Sequence, residues 1–343
     1  MRRMLSALLL LFAGAVCAAA DSTNDFYDGA PTVSLGEPQL VVAGEIANPG
    51  PVALSTLPLR SVVVKETRSD GDSAAFVGAY RYDGYSLDDI LNERAVRKKN
   101  GKEFPRVIDL YVEIANAAGD RVVLSWGEIY YPCNRHQILI ATQVARIVPS
   151  KTKELWPLPD GPQLVVGPDL VTERTIGTPT TITVRSYPRS FSSAVNITPL
   201  YSPVIRVISA VNVQDSITAT QRFDNMLEYP AVFYGRGKGI HGISRFRGVP
   251  LKAALGARWP LDRANLRQGL VAIAALDGYR SVFSYGEIFN RNDQNEALLV
   301  PRPAGQEGGA FSLFMPADFF SDRAVKAISE IRLDLLDDLA PRK

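Results

Sequence analysis

Val112–Tyr130 reads VEIANAAGDRVVLSWGEIY, and Val271–Phe289 reads VAIAALDGYRSVFSYGEIF. At a constant offset of 159 and without a gap, ten of these nineteen positions are identical, among them Gly119/Gly278, Arg121/Arg280, Ser125/Ser284, Gly127/Gly286 and Glu128/Glu287. Self-similarity at a fixed period is the mark of a repeated structural unit. The likeness extends upstream, where Tyr82-Asp83-Gly84 through Leu91 parallels Phe246-Arg247-Gly248 through Leu255. It also extends downstream, where Arg174-Thr175-Ile176 parallels Arg323-Ala324-Val325. The expectation is one domain written twice, at residues 37–187 and 188–343.

Strand signals dominate each repeat. Leu40–Ile46, Leu59–Lys65, Val122–Leu124, Gln137–Ala141 and Ala297–Val300 are rich in β-branched and aliphatic residues, and Asn48-Pro49-Gly50-Pro51 reads as a turn. Helical spacing is confined to Leu87–Ala95, Leu251–Leu255 and Phe319–Ala327. The expected class is α+β, mainly antiparallel β with short helices, duplicated in tandem.

The N-terminus opens with Arg2-Arg3, an apolar run from Met4 and Ala18-Ala19-Ala20 before Asp21. That is the pattern of a secretory signal peptide over residues 1–20, followed by a polar leader over 21–36. The apolar run is short for a membrane span, so no span is expected after cleavage, and the protein is expected in the periplasm or secreted. The chain has 343 residues, 38 Lys+Arg and 36 Asp+Glu. Cleavage removes two arginines and no acid, leaving 36 against 36. A neutral chain excludes nucleic-acid binding by bulk charge. Cleavage also removes Cys17, so Cys133 stands alone and no internal disulfide supports the fold.

Several short elements occur in order: Val41-Val42-Ala43-Gly44 to Asn48-Pro49, the two aromatic-x-Gly segments, Asp277-Gly278-Tyr279, Leu298-Leu299-Val300, Gly308-Gly309, Phe314-Met315-Pro316 and Val325-Lys326-Ala327-Ile328. Together they resemble the molybdopterin-binding domain of the sulfite oxidase family, once per repeat. The resemblance implies a sulfite-oxidase-like domain duplicated in tandem, and a molybdopterin cofactor. In that family a cysteine thiolate ligates the metal between the second strand and the aromatic-x-Gly element. Lys65–Asp70 and Phe233–His241, which stand there, hold no cysteine. Soft thiolate is what such a metal needs, so both repeats lack the defining ligand.

Two local patterns carry candidate chemistry. Tyr234-Gly-Arg-Gly-Lys-Gly-Ile-His-Gly242 alternates glycines with Arg236 and Lys238, a composition able to turn amides and cations toward an anion. With Arg236, Lys238, His241 and Arg245 on the phosphate, and Asp277 and Tyr279 lining the pocket, it is the candidate cofactor-binding set. Cys133-Asn134-Arg135-His136 occurs only in the first repeat and pairs a thiol with an imidazole, too few for a structural metal site unless acids join them. No metal set and no catalytic residue is named from the sequence. The expected function is an exported, cofactor-free binding or assembly module, a pseudoenzyme with a protein partner in the periplasm or outside the cell. The alternative is a periplasmic molybdopterin-dependent oxidoreductase or pterin-binding protein using the second repeat.

Overall fold

Alternation of apolar and polar residues builds most of the molecule. Along Arg60–Asp70, Val62, Val64 and Glu66 turn inward while Ser61, Val63 and Lys65 face out, the period-two pattern of a strand with one covered face. Gly269–Ala275 is buried at every position, as a central strand covered on both faces must be. The computed structural model describes residues 31–70, 73–149, 151–194, 196–209, 212–237, 239–303, 305 and 307–339. The expected signal peptide and residues 21–30 of the leader lie outside them.

Four small sheets result. A six-stranded sheet runs β10 (Ile176–Gly177), β9 (Gln163–Val166), β8 (Ile138–Arg146), β5 (Ser73–Ser86), β4 (Arg60–Asp70), with β1 (Val33–Ser34) also on β8. Its partner runs β3 (Gly50–Pro51), β2 (Val41–Gly44), β11 (Pro179–Ser186), β6 (Leu110–Asn116), β7 (Arg121–Ser125). A second five-stranded sheet runs β13 (Asn212–Thr218), β12 (Val204–Ser209), β20 (Ile328–Leu335), β16 (Gly269–Ala275), β17 (Arg280–Ser284). The last holds β14 (Leu227–Gly235), β15 (Gly239–Pro250), β18 (Leu298–Pro301) and β19 (Phe311–Phe314). All pairings are antiparallel except β2 with β11 and β12 with β20.

The helices are α1 (Leu87–Asn92), α2 (Trp126–Tyr130), α3 (Leu251–Leu255), α4 (Arg263–Gln268) and α5 (Tyr285–Phe289), each of five or six residues. Side chains of Ser86, Ser125, Asp262 and Ser284 accept the first free amides of α1, α2, α4 and α5. Gly256, at φ 58, ends α3. The expected helix at Phe319–Ala327 is only a 3₁₀ turn, Ser321–Arg323, because the Arg323 side chain is drawn fully into the interior.

The α+β class, with a sulfite-oxidase-like domain duplicated in tandem, is therefore corrected. The described chain is mostly β, 45% strand against 14% helix, in four small sheets. The nineteen-residue repeat survives as matching strand–strand–helix units, β6–β7–α2 and β16–β17–α5, and not as two self-contained α+β domains. One apolar cluster lies over α1 and α2, and another over α3 and α5. A third joins Tyr111, Val123 and Tyr187 to Leu270, Ala272 and Val282, so the two halves share interior. The leader's last residues take part as well: Val33 and Ser34 pair with Val144 and Gln143 in β8.

Candidate functional site

Where the halves meet, two arginines are fully enclosed. Arg174 donates from Nε and Nη2 to Asp169 at 2.9 and 2.6 Å, and from Nη1 to Glu128 and to Ser284 Oγ, each at 2.9 Å. Arg323 mirrors it, with Nε and Nη2 on Asp318 at 2.7 and 2.5 Å and Nη1 on Glu287 at 2.6 Å. Ser125 Oγ closes the set by donating to Glu287 Oε2 at 2.7 Å. Such bidentate, charge-assisted bonds are what permits a guanidinium to leave water at all. In α2 a capping box turns Glu128 back onto the Ser125 amide at 2.7 Å, whereas in α5 Ser284 caps the Glu287 amide and the Glu287 carboxylate goes across to Ser125 Oγ and Arg323. Gly127 and Gly286 then make room: a Cβ on Gly127 would fall 2.2 Å from Arg323 Nη1, and one on Gly286 would fall 2.7 Å from the Arg174 guanidinium carbon.

Burial pushes the Glu128 and Asp169 carboxyls up, with Arg174 working against it, and pushes Asp318 up to about 6 despite Arg323. Burial alone would lower the two guanidinium groups. Their facing carboxylates outweigh it, so both stay charged. Glu128 and Glu287 are thus braces, each engaged on an arginine.

A cavity of about 300 Å³ opens above this network. One wall is Cys133–Gln137; the facing wall includes Arg291, Asn292, Asp293 and Asn295; Glu128, Asp169, Arg174 and Glu287 lie beneath. The walls are joined by short bridges, Pro132 to Asp318 and Asp169 to Arg291. His136 sits at φ 63, a left-handed conformation that turns its ring back toward α1. There Nδ1 lies 3.0 Å from Ser86 Oγ and 3.5 Å from Asp89 Oδ2.

Serine, histidine and aspartate together invite comparison with a nucleophilic relay. The geometry denies it. A relay needs serine and carboxylate on opposite ring nitrogens, whereas both face Nδ1 here. Ser86 is moreover fully buried and occupied as the cap of α1. The ligand atoms of Asp88, Asp89 and His136 lie within 4.8 Å of one another, the proximity a cation would need. Two guanidinium groups already answer those charges: Arg60 grips Asp89 at 2.9 and 3.2 Å, and Arg135 stands 3.3 Å from Asp88. Burial would raise the Asp89 carboxyl, but bonds from Arg60 and Ser86 outweigh it and hold it below the usual range. Burial raises Asp88, with Arg135 opposing. Cys133 is exposed at the cavity mouth, fixed by its backbone N–H to the Ala317 carbonyl at 2.8 Å.

The residues expected to hold a pterin phosphate do not close a common pocket. Arg236, at the tip of the β14–β15 hairpin, pairs with Asp322 at 3.3 Å and lies over the Phe320 ring. Arg245 is several rungs down the hairpin, 77% exposed and paired with Glu228 at 2.8 Å. His241 is exposed, with its ring beside Phe233. Asp277 is exposed in the turn between β16 and β17, where it accepts the Tyr279 amide at 3.0 Å. The Tyr279 hydroxyl, pushed up to about 12 by burial, donates to the Asp322 carbonyl. Lys238 lies outside the described residues. Only Arg236 and Tyr279 are brought to one place, through Asp322. Both described arginines of the set already face carboxylates, so these residues do not fit an anionic pterin.

The Arg174 and Arg323 network went unassigned in the sequence, although both arginines were visible as a repeated pair. The further signal was an aspartate five residues before each, Asp169 and Asp318. No protein-family model matches this chain, and no curated protein matches it.

Proposed function

We propose that the chain is an exported binding or assembly module that performs no chemistry of its own and works without molybdenum. The observation that carries this reading is the state of the charges around the inter-half cavity. Glu128, Glu287, Asp169 and Asp89 are each engaged by a guanidinium and so are not free as a base, a nucleophile or a ligand, while Asp88 has Arg135 at 3.3 Å and, among the described residues, no hydrogen bond on its Oδ2. The rest of the cavity's polar lining is the amides Asn134, Gln137, Asn292 and Asn295, the Cys133 thiol, the His136 imidazole, whose Nδ1 is turned to Ser86 and Asp89, Arg135, and the paired Arg291 and Asp293. At about 300 Å³ it is at the small end of ligand sites, suited to a compact polar solute with donors and acceptors on both sides.

Among the described residues no helix is long and apolar enough to cross a membrane. The Arg2–Ala20 signal pattern alone supports a place in the periplasm or outside the cell. Protein purified from its native host is the test, by elemental analysis and native mass spectrometry. The expected result is an N-terminus at Asp21, no stoichiometric molybdenum and, where a ligand is retained, a small adduct lost on Asn292→Ala/Asn295→Ala. Stoichiometric molybdenum or bound pterin would overturn the proposal.

A further inference from the structure

The molecule contains two long hairpins, and they are finished differently. In the first, β5 pairs with β8 from Tyr80 to Ser86, so its outer edge is closed along seven residues. The chain between β8 and β9 then folds back over it. Trp156 packs edge-on against Phe76, the Tyr80 hydroxyl donates to the Pro157 carbonyl at 2.5 Å, and Leu158 joins the same apolar cluster.

In the second, β15 pairs with β18 only at Val249 and Pro250. β18 ends on Pro301, Pro303 follows, and nine residues separate β18 from β19. Ile240–Gly248 consequently has β14 on one side and no strand on the other among the described residues. Val232, Ile240 and Ile243 are 58, 71 and 78% exposed on this hairpin. Beneath it runs a groove of about 650 Å³ whose lining includes Phe233, Phe314 and Phe319. The groove is lined along β14 and meets β15 at Ile240, and the exposed edge of β15 is itself a template for a further strand.

Charge selects the occupant. Arg236, His241, Arg245 and Arg247 lie on the hairpin against the single acid Glu228, and Arg247 has no ion pair among the described residues. A second copy of this chain would bring the same arginines edge to edge, which like-charge repulsion disfavours. We propose that the free edge of β15, from Ile240 to Gly248, receives an extended segment of a partner protein in which acidic and apolar residues alternate. The acids face Arg245 and Arg247, and the apolar residues lie on the opposite face of the strand, the face on which Phe246 stacks on Phe314. This rests on the reading of the chain as an assembly module, but uses a surface that the elemental analysis above does not probe.

The test uses the full mature chain and a fluorescein-labelled ten-residue peptide alternating Asp or Glu with Val or Phe, followed by fluorescence anisotropy and amide hydrogen exchange. The expected result is binding at least tenfold tighter than that of the same peptide with lysines in place of the acids. Arg245→Glu/Arg247→Glu, both exposed, is expected to lose that binding at least tenfold with an unchanged thermal transition, and new amide protection is expected within Ile240–Gly248. Absence of binding, equal binding of the two peptides, indifference to the double substitution, or protection confined to the His136 loop would each overturn it. So would sedimentation showing a dimer that the double substitution abolishes. A molybdenum-free protein that fails this test would leave the module reading standing and remove only this surface.

Discussion

At the scale of single residues, two fully enclosed arginines, each held by a bidentate aspartate and a glutamate, organise the molecule. Arg323 has no exposed surface and is gripped on three sides by Asp318 and Glu287. A methyl group at Gly127 therefore meets a guanidinium with nowhere to swing. Gly127→Ala is expected to cost about 3 kcal/mol, combining overpacking with a broken buried ion pair. Gly101→Ala, whose nearest neighbour would be 3.5 Å away, should stay within about 0.5 kcal/mol. Urea unfolding measures both, and a cost below about 0.5 kcal/mol at Gly127 would mean that Arg323 yields. The same pocket sets a pH dependence. Asp318 is raised from 3.8 to about 6, so the folded state holds its proton more tightly than the unfolded chain does. Its contribution to stability is complete below about pH 4 and lost as pH rises through about 6. Wild type should accordingly lose up to about 3 kcal/mol relative to Asp318→Asn between pH 4 and 7. Parallel stability curves for the two proteins would contradict this.

At the scale of elements, cover decides what a substitution costs. Trp156 is the lid of the first hairpin, half-buried, with its indole N–H on the Ile147 carbonyl at 2.9 Å. Trp156→Ala is expected to cost about 2 kcal/mol, short of the full loss for a deeply buried tryptophan. Val232→Ser on the uncovered hairpin should cost no more than about 0.5 kcal/mol. Equal costs, measured by thermal unfolding, would mean that both hairpins are covered alike. The strands were legible in the sequence because burial imposes period two locally: Leu59–Lys65 lies almost wholly within β4, and Val122–Leu124 is the middle of β7. Helices were legible only as apolar spacing, which at Phe319–Ala327 gave way to the inward pull of Arg323. Cys133–His136 was legible as a special loop. Its partners Ser86, Asp88 and Asp89 were not, because they arrive from a helix some fifty residues earlier. The hairpin glycines and cations suggested an anion site, but Asp322 and Glu228, which answer Arg236 and Arg245, are set by folding and not by adjacency.

At the scale of the whole molecule, the halves meet through groups that neither could keep alone. Arg280, 3% exposed, reaches across to Asp109 and to Glu103, and stacks over the Phe104 ring. Asp334 accepts from Tyr187 across the divide, and Arg174 ends on Ser284. Around these polar contacts Tyr111, Val123, Leu270, Ala272 and Val282 form one apolar cluster drawn from two sheets. Separating residues 37–187 from 188–343 would uncover that cluster and leave several buried charges without their full set of partners. Breaking a single buried pair costs about 3–5 kcal/mol, and a whole domain has only about 5–15 kcal/mol to lose. The full chain should then unfold in one transition, with far-ultraviolet circular dichroism and tryptophan fluorescence tracing the same urea curve. Each half produced alone should bind a hydrophobic dye and unfold without a sharp midpoint. A half that unfolds cooperatively, with a denaturant slope in proportion to its length, would mean that the shared interior adds to two stable units and does not create them.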